Sequence, residues 1–231
     1  MVGSLFLTSV ATASEAGEVV STNIVGYDKF ESASTGGFTS FTSPFVSVLS
    51  TNQMFTLRQL TGNFRTNQSI QFFDSNGNVY FRALYMFGDW EDTNEEIVND
   101  VPIPAGTGMF LSTGVNPFDG FIAGQVEQED ITIELAQNGF TFIGNASPVP
   151  LKLSEFTFTG LRTNNSLQFF DKDGNVYFRA LYMFGDWENI NEEVINDYEV
   201  QPGDGFFVSC GLPAAGFTKI HVTIPTAFPT E

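Results

Sequence analysis

The sequence predicts an all-β protein built from two tandem homologous repeats, each a β-sandwich or barrel-like unit. The first of three supporting observations is that one block occurs twice. RTNQSIQFFDSNGNVYFRALYMFGDWEDTNEEIVND begins at Arg65 and RTNNSLQFFDKDGNVYFRALYMFGDWENINEEVIND at Arg162. Gly77 matches Gly174, Trp90 matches Trp187 and Gly106 matches Gly203, so the offset (174 − 77 = 97) holds through Ser112 and Ser209, with about two-thirds of positions identical. A fixed period over that length marks one folded unit used twice. The second observation is rhythm: segment after segment is a short run of β-branched and aromatic residues bounded by Gly, Pro, Asn or Asp, and no window keeps an apolar 3.6-residue period for three turns. The third is composition, with 26 Phe among 231 residues and only 16% charged, which predicts a phenylalanine core.

The length accommodates two domains of about 100 residues. They are expected at residues 19–126 and 127–231, behind a leading segment of residues 1–18. That segment contains a short apolar run, Ser4 to Val10, and the small-x-small sequence Ala11-Thr12-Ala13, but no basic n-region. It reads as a signal-peptide remnant, which implies secretion, or as a flexible arm. No apolar stretch approaches the length of a membrane-spanning helix, so no membrane span is expected.

From Val19, VVSTNIVGYDKF predicts a strand, followed by a Gly36-Gly37 turn with Phe38, Phe41 and Phe45 as core anchors. MFTLRQL predicts a third short strand. In the repeated block, Ser69 to Phe73 and Val79 to Phe87 are strands joined by a turn at Asp74-Ser75-Asn76-Gly77-Asn78, where Asn and Gly accept the positive φ of a hairpin. Both faces of the second strand are mostly apolar, which predicts a central strand covered on both sides. Gly88-Asp89-Trp90-Glu91 is expected to end it, and Asp92 to Asp100 to form a loop or one helical turn. Gly108 to Ser112 and Gly205 to Ser209 predict buried strands opened by glycines. The acidic Gly124 to Asp130 is the expected linker. In the second unit, Gly139-Phe140 echoes Gly37-Phe38 (139 − 37 = 102), and KIHVTIPTAF is a final strand expected to cap that unit.

Net charge is −18, from 27 acidic against 9 scattered basic residues. This excludes nucleic acid as a partner, because phosphate binding needs clustered cations, and disfavours anionic lipid. Solubility accounts for the acidity, with cation binding as the sharper reading. The single Cys210, opposite Thr113 in the first copy, cannot form an intrachain disulfide. His221 is the only histidine and is likewise uncopied, so no nucleophile–base arrangement recurs, and no enzyme or catalytic residue is expected.

The Asn23, Val25, Gly26, Tyr27 start, Gly37-Phe38, the Trp-containing middle at Trp90 and Trp187, and the closing Gly203-Asp204-Gly205-Phe206-Phe207-Val208 together resemble a tandem β repeat. That repeat belongs to uncharacterised secreted proteins of Verrucomicrobia and Planctomycetes type, with an N-x-V-G-Y start and a pGxgFfv closing strand. The first copy departs at Ala105, where the pattern has Pro. The resemblance implies secretion and a β repeat, and no site residues.

Two constellations could carry chemistry. Asp74, Asn76 and Asn78, copied as Asp171, Asp173 and Asn175, resemble the start of a calcium loop, although the twelfth position from Asp74 is Tyr85 rather than a bidentate Glu. A plain hairpin turn needs the same residues, so Ca²⁺ is the sharper alternative. Asp89, Trp90 and Glu91, copied as Asp186, Trp187 and Glu188, offer an aromatic face beside carboxylates, the combination that binds sugars. A Trp anchoring the core is the competing reading. Arg82 and Arg179 lie mid-strand, either buried against Asp89 or Glu91 or with the head in solvent.

Two functions follow as expectations. One is a secreted extracellular structural or cell-surface protein, a filament or surface-layer subunit whose units, joined head to tail, propagate through unlike ends. In this reading, the arm before Asn23 could donate a strand to a neighbouring copy. The other is a two-site carbohydrate-binding or adhesion module. The expected partners are further copies of the chain or an extracellular glycan, and no cofactor beyond Ca²⁺ at the aspartate turns.

Overall fold

The computed structural model describes residues 25–31, 36–46, 54–113, 117, 119–127, 129–171 and 173–225. The expectations for residues 1–18 and for the strand-donating arm lie outside the described residues.

The protein is all-β. Its first half contains β1 (Val25–Glu31), β2 (Phe38–Thr42), β3 (Phe55–Thr56), β4 (Thr61–Gly62) and β5 (Ser69–Phe73), then β6 (Val79–Met86), β7 (Asp89–Glu91), β8 (Pro102–Ile103), β9 (Gly108–Ser112) and β10 (Asp119–Gln125). The second half contains β11 (Ile131–Leu135), β12 (Gly139–Gly144), β13 (Leu151–Lys152), β14 (Thr157–Thr159) and β15 (Ser166–Phe170), then β16 (Val176–Met183), β17 (Asp186–Glu188), β18 (Glu199–Val200), β19 (Gly205–Cys210) and β20 (Ile220–Ile224). A five-stranded antiparallel sheet ordered β2-β9-β5-β6-β7 faces a three-stranded sheet β1-β10-β4, and the second half runs through the same orders as β12-β19-β15-β16-β17 and β11-β20-β14. Between each pair of sheets lies an apolar core. In the first half it includes Phe41, Phe55, Ile70, Phe72, Trp90 and Met109. In the second it includes Ile143, Leu167, Phe169, Trp187, Phe206 and Val222.

Several expectations change. The strand β6 is not covered on both sides: Phe81, Ala83 and Tyr85 face the core, whereas Arg82 is exposed and Leu84 and Met86 are only half-buried. The doubly covered strand is β9, buried from Gly108 through Leu111. Gly88 does not end the sheet but turns the chain into β7, which pairs Tyr85 with Trp90 and Leu84 with Glu91. Asp92 to Asp100 forms no helical turn. Glu91 bridges Ile97, and Val98 N donates to Trp90 O at 2.7 Å, so the segment folds back as a further hairpin. Gly124 and Gln125, expected in the linker, close β10 against β1. The final strand β20 is no added cap, because it pairs with β11 and β14 as β10 pairs with β1 and β4.

A third cluster joins the halves: Phe110, Phe142 and Phe207, with Phe38, Phe73, Phe140 and Phe170 packed around them. Phe142 stacks on Phe207 at 4.4 Å, and Phe110 meets Phe142 at 4.9 Å and Phe170 at 5.3 Å. On β2, β9 and β5 the residues pointing away from each core make this contact, which explains why the chain carries more Phe than two small cores require.

The join is reciprocal rather than head to tail. Thr42 N donates to Gly203 O at 2.8 Å, while Gly144 N donates to Gly106 O at 3.1 Å. These are the same pair with the halves exchanged (144 − 42 = 102; 203 − 106 = 97). Phe140 lies against the Gly77 turn and Phe38 against the Gly174 turn. Residue i touching j′ while j touches i′ is the mark of a like-face, two-fold contact. It also accounts for a glycine in each closing strand. A Cβ on Gly108 would sit 2.7 Å from the Phe142 ring and 2.9 Å from Ile143 O, and one on Gly205 would sit 3.0 Å from Phe41 N.

Candidate functional site

The corner formed by β6, β7 and the turn after them, with its copy at β16 and β17, collects most of the residues that the sequence singles out. Trp90 and Trp187 are 2% and 3% exposed. Trp90 is packed edge-on by Phe64 and Tyr85, each at 5.3 Å, and Trp187 by Phe158 and Tyr182, each at 5.2 Å. Neither indole presents a face to solvent, so of the two readings the core anchor holds and the sugar-stacking platform does not. The aromatic partner comes from different points of the chain in the two halves, since Phe64 follows β4 whereas Phe158 lies within β14.

The acids beside each Trp are tied into the same corner. Trp90 N donates to Asn99 Oδ1 at 2.8 Å, and Asn99 Nδ2 donates to Asp89 Oδ1 at 2.6 Å. In the copy, Trp187 N donates to Asn196 Oδ1 at 2.8 Å and Asn196 Nδ2 to Asp186 Oδ1 at 2.7 Å. Asp89 and Asp186 therefore orient an asparagine that holds the returning strand. This role, invisible in spacing, explains why the asparagine is copied. A cleft of ≈410 Å³ opens beside Asp89, lined by Arg58, Phe64, Tyr85, Trp90 and Asn99 among others. Glu91 and Glu188 are half-exposed.

The aspartate turns are closed by donors. Asp74 Oδ1 accepts from Asn76 N at 2.8 Å and Asn78 N at 2.9 Å, and Asp171 Oδ1 accepts from Asp173 N and Asn175 N, both at 2.9 Å. A calcium loop converges oxygens on one point, whereas here two N–H groups converge on a carboxylate oxygen. The hydrogen bond from Asn78 leads the effects that hold Asp74 below the usual carboxylate range. Asp92 repeats the device, with Oδ1 accepting from Asn94 N at 2.8 Å and Glu96 N at 3.0 Å. Asn189 does so in the second half, accepting from Asn191 N and Glu193 N. Here Glu95 (φ 65°) and Glu192 (φ 63°) occupy the left-handed position that Gly77 and Gly174 fill in the other turns. Among the described residues, no group of three or more His, Cys, Asp or Glu is placed to hold a metal ion.

Arg82 and Arg179 are exposed, and among the described residues no acid lies within ion-pair distance of either. The solvent-facing reading of these arginines therefore holds. Cys210 is buried, and burial pushes its thiol up to about 12.

Two features escape sequence reasoning. Phe87 and Phe184 sit at the first central position of the two-residue turns that join β6 to β7 and β16 to β17, with φ of 52° and 54°, each followed by a glycine at φ 114°. Their rings are 90% and 89% exposed. A left-handed turn normally takes Asn or Gly at this position, and a phenyl ring in water gains nothing from burial. The second feature is a cleft of ≈500 Å³ between the halves, lined by Phe73, Tyr80, Ile133, Phe140 and Phe142 with Ser75, Glu134 and Gln137. Its walls come from both halves, so no reading confined to one repeat finds it. Comparison with protein-family models, curated proteins and solved structures found no match to this chain.

Proposed function

We propose that the chain is a secreted extracellular structural or cell-surface protein that works by associating with further copies of itself, as a filament or surface-layer subunit. The observation that carries this reading is an outward apolar surface present in both halves. Among the described residues, Val79, Tyr80, Phe87 and Ile97 are large, apolar and exposed, and so are Val176, Tyr177, Phe184 and Val194 at the matching positions. No core requires these side chains, and exposed apolar surface held in two places suits a contact made twice. The reciprocal join alters the route to assembly. Unlike ends are no longer the source of propagation, and two like surfaces per chain take that role. Sedimentation velocity and negative-stain electron microscopy at ~0.15 M salt, with and without Ca²⁺, test the reading. Assemblies many times the 25.4 kDa chain mass are expected, and a monomer at all concentrations would overturn it.

A two-site glycan-binding or adhesion role is the second reading, favoured by the polar cleft beside Asp89. Glycan-array binding that is lost on Asp89→Ala together with Asp186→Ala would place it first.

A further inference from the structure

The outer face of each five-stranded sheet is only half used. On β2, β9 and β5 it packs against the other half of the chain through phenylalanines. On β6 and β7 it presents Arg82, Leu84, Met86 and Glu91, with Asp89 opposite Met86 on the same side but engaged by Asn99, and the Glu91–Ile97 bridge puts Ile97 there too. Residues opposite one another across antiparallel strands share a face, and alternate residues along a strand do too. The second half presents Arg179, Leu181, Met183, Glu188 and Val194 in the same arrangement.

We propose that this open half-face is the surface on which a second copy of the chain docks, like face to like face, which rests on the self-association reading above. Two observations select a second copy as the occupant. The open half-face continues a sheet face that already makes a like-face contact within the chain, so one sheet supplies both interfaces through different strands. It is also self-complementary in charge. Among the described residues Arg82 has no ion-pair partner, and Glu91 lies across β6–β7 from Leu84, two residues along from Arg82. A two-fold axis between these side chains sets Arg82 of each copy against Glu91 of the other, with Leu84, Met86 and Ile97 filling the space between. An acidic partner would leave Glu91 opposed, and a basic one would leave Arg82 opposed; only a face carrying both charges satisfies both.

Each chain carries two such faces, one per half, and a two-fold contact at each adds a copy on either side. The result is an open row of chains. The net charge of −18 opposes that association at long range. Screening shortens the repulsion to about 8 Å at physiological ionic strength while touching pairs persist, so assembly is expected near ~0.15 M salt and is weaker at low salt.

Charge reversal with complementation tests the surface. One variant carries Arg82→Glu and Arg179→Glu, and the other carries Glu91→Arg and Glu188→Arg. All four side chains are exposed or half-exposed, so both variants are expected to keep the wild-type far-UV circular dichroism and melting profile. Each alone sets like charges against each other, and its critical assembly concentration is expected to rise at least about tenfold. Mixed in equal amounts, they oppose unlike charges again, and assembly is expected to return. If wild type assembles and either folded variant assembles as well alone, the surface is wrong while self-association stands. Two folded variants whose mixture stays unassembled overturn the Arg82–Glu91 pairing. A monomeric wild type removes the reading on which the proposal rests.

Discussion

Replacing Phe87 and Phe184 by Asn is expected to make the protein more stable, although it deletes two large apolar side chains. The ring of Phe87 is 90% exposed, so burial stabilises it by no more than a tenth of the ~1.5–3 kcal/mol of a fully buried phenylalanine, about 0.2 kcal/mol. Against this stands the backbone. At φ 52°, a residue with a Cβ costs roughly 1–2 kcal/mol, a cost that Asn largely escapes because its short polar side chain bonds locally, and Asn-Gly is the preferred pair for this turn. Each substitution should therefore raise stability by about 1 kcal/mol. The two turns belong to separate sheets, so the double variant should gain about 2 kcal/mol, a rise of roughly 4–8 °C in Tm. Urea titration followed by the fluorescence of buried Trp90 and Trp187, with calorimetry for Tm, measures the change. A single variant less stable than wild type by more than about 0.5 kcal/mol would refute the account of the strain. If the double variant also assembles less well, the strained exposed rings serve association at the expense of stability, the trade found where function needs a locally unfavourable residue.

Phe142→Ala, which removes the ring stacked on Phe207 between the halves, should cost about 3–5 kcal/mol and split urea unfolding into two steps; one sharp transition with a loss under about 1 kcal/mol would contradict the phenylalanine join. Hydrogen bonds hold Asp74 and Asp92 below the ordinary carboxylate value of 3.8, so their contribution to stability is present above that pH and lost as pH falls through the lower folded values. Urea midpoints against pH should fall on acidification through these lower values, with Asp74→Asn reducing the loss.

The strand-and-turn rhythm made the fold class legible, and the aspartate hairpins could be placed because Asp-x-x-Gly-Asn has one cheap backbone solution. The β6–β7 hairpin was hidden because its turn uses Phe at a position that turn chemistry gives to Asn or Gly. The strand β10 was hidden because Asp119-Gly120 and Gly124 interrupt its apolar alternation, and its stability comes from pairing with β1, distant in sequence. The double coverage assigned to β6 belongs to β9, since apolar residues on both faces of a strand do not say which neighbour covers them or whether water does. At the candidate site, Trp burial was one of two open readings, and the phenyl and tyrosyl rings around each indole decide it. The asparagines that link each Asp to its Trp could not be read from spacing alone, because Asn99 lies nine residues from Trp90 and meets it only when the chain folds back.

The pattern of identity between the halves is itself physical evidence about where constraint comes from. A recent duplication alone would leave the copies alike along their whole length. Instead, Val101 to Ala105 differ at every position from Tyr198 to Pro202, and the segment before Arg65 matches only through scattered echoes. Interior problems have been solved differently in the two halves. Ser40 occupies the place of Phe142 in the join (142 − 40 = 102), and one of the two ring partners of each tryptophan, Phe64 or Phe158, comes from a non-equivalent position. Cores tolerate that exchange, since volume and apolarity suffice. Surfaces tolerate more, yet the whole run from Gly77 to Glu91 is unchanged in the copy, the exposed Tyr80, Arg82 and Phe87 as well as the buried Ala83 and Trp90. Packing does not demand an exposed Arg or an exposed Phe on a strained backbone, and solubility would favour losing the Phe. Identity at these exposed positions, beside that of the buried ones, therefore points to a constraint acting from outside the chain, on both halves alike.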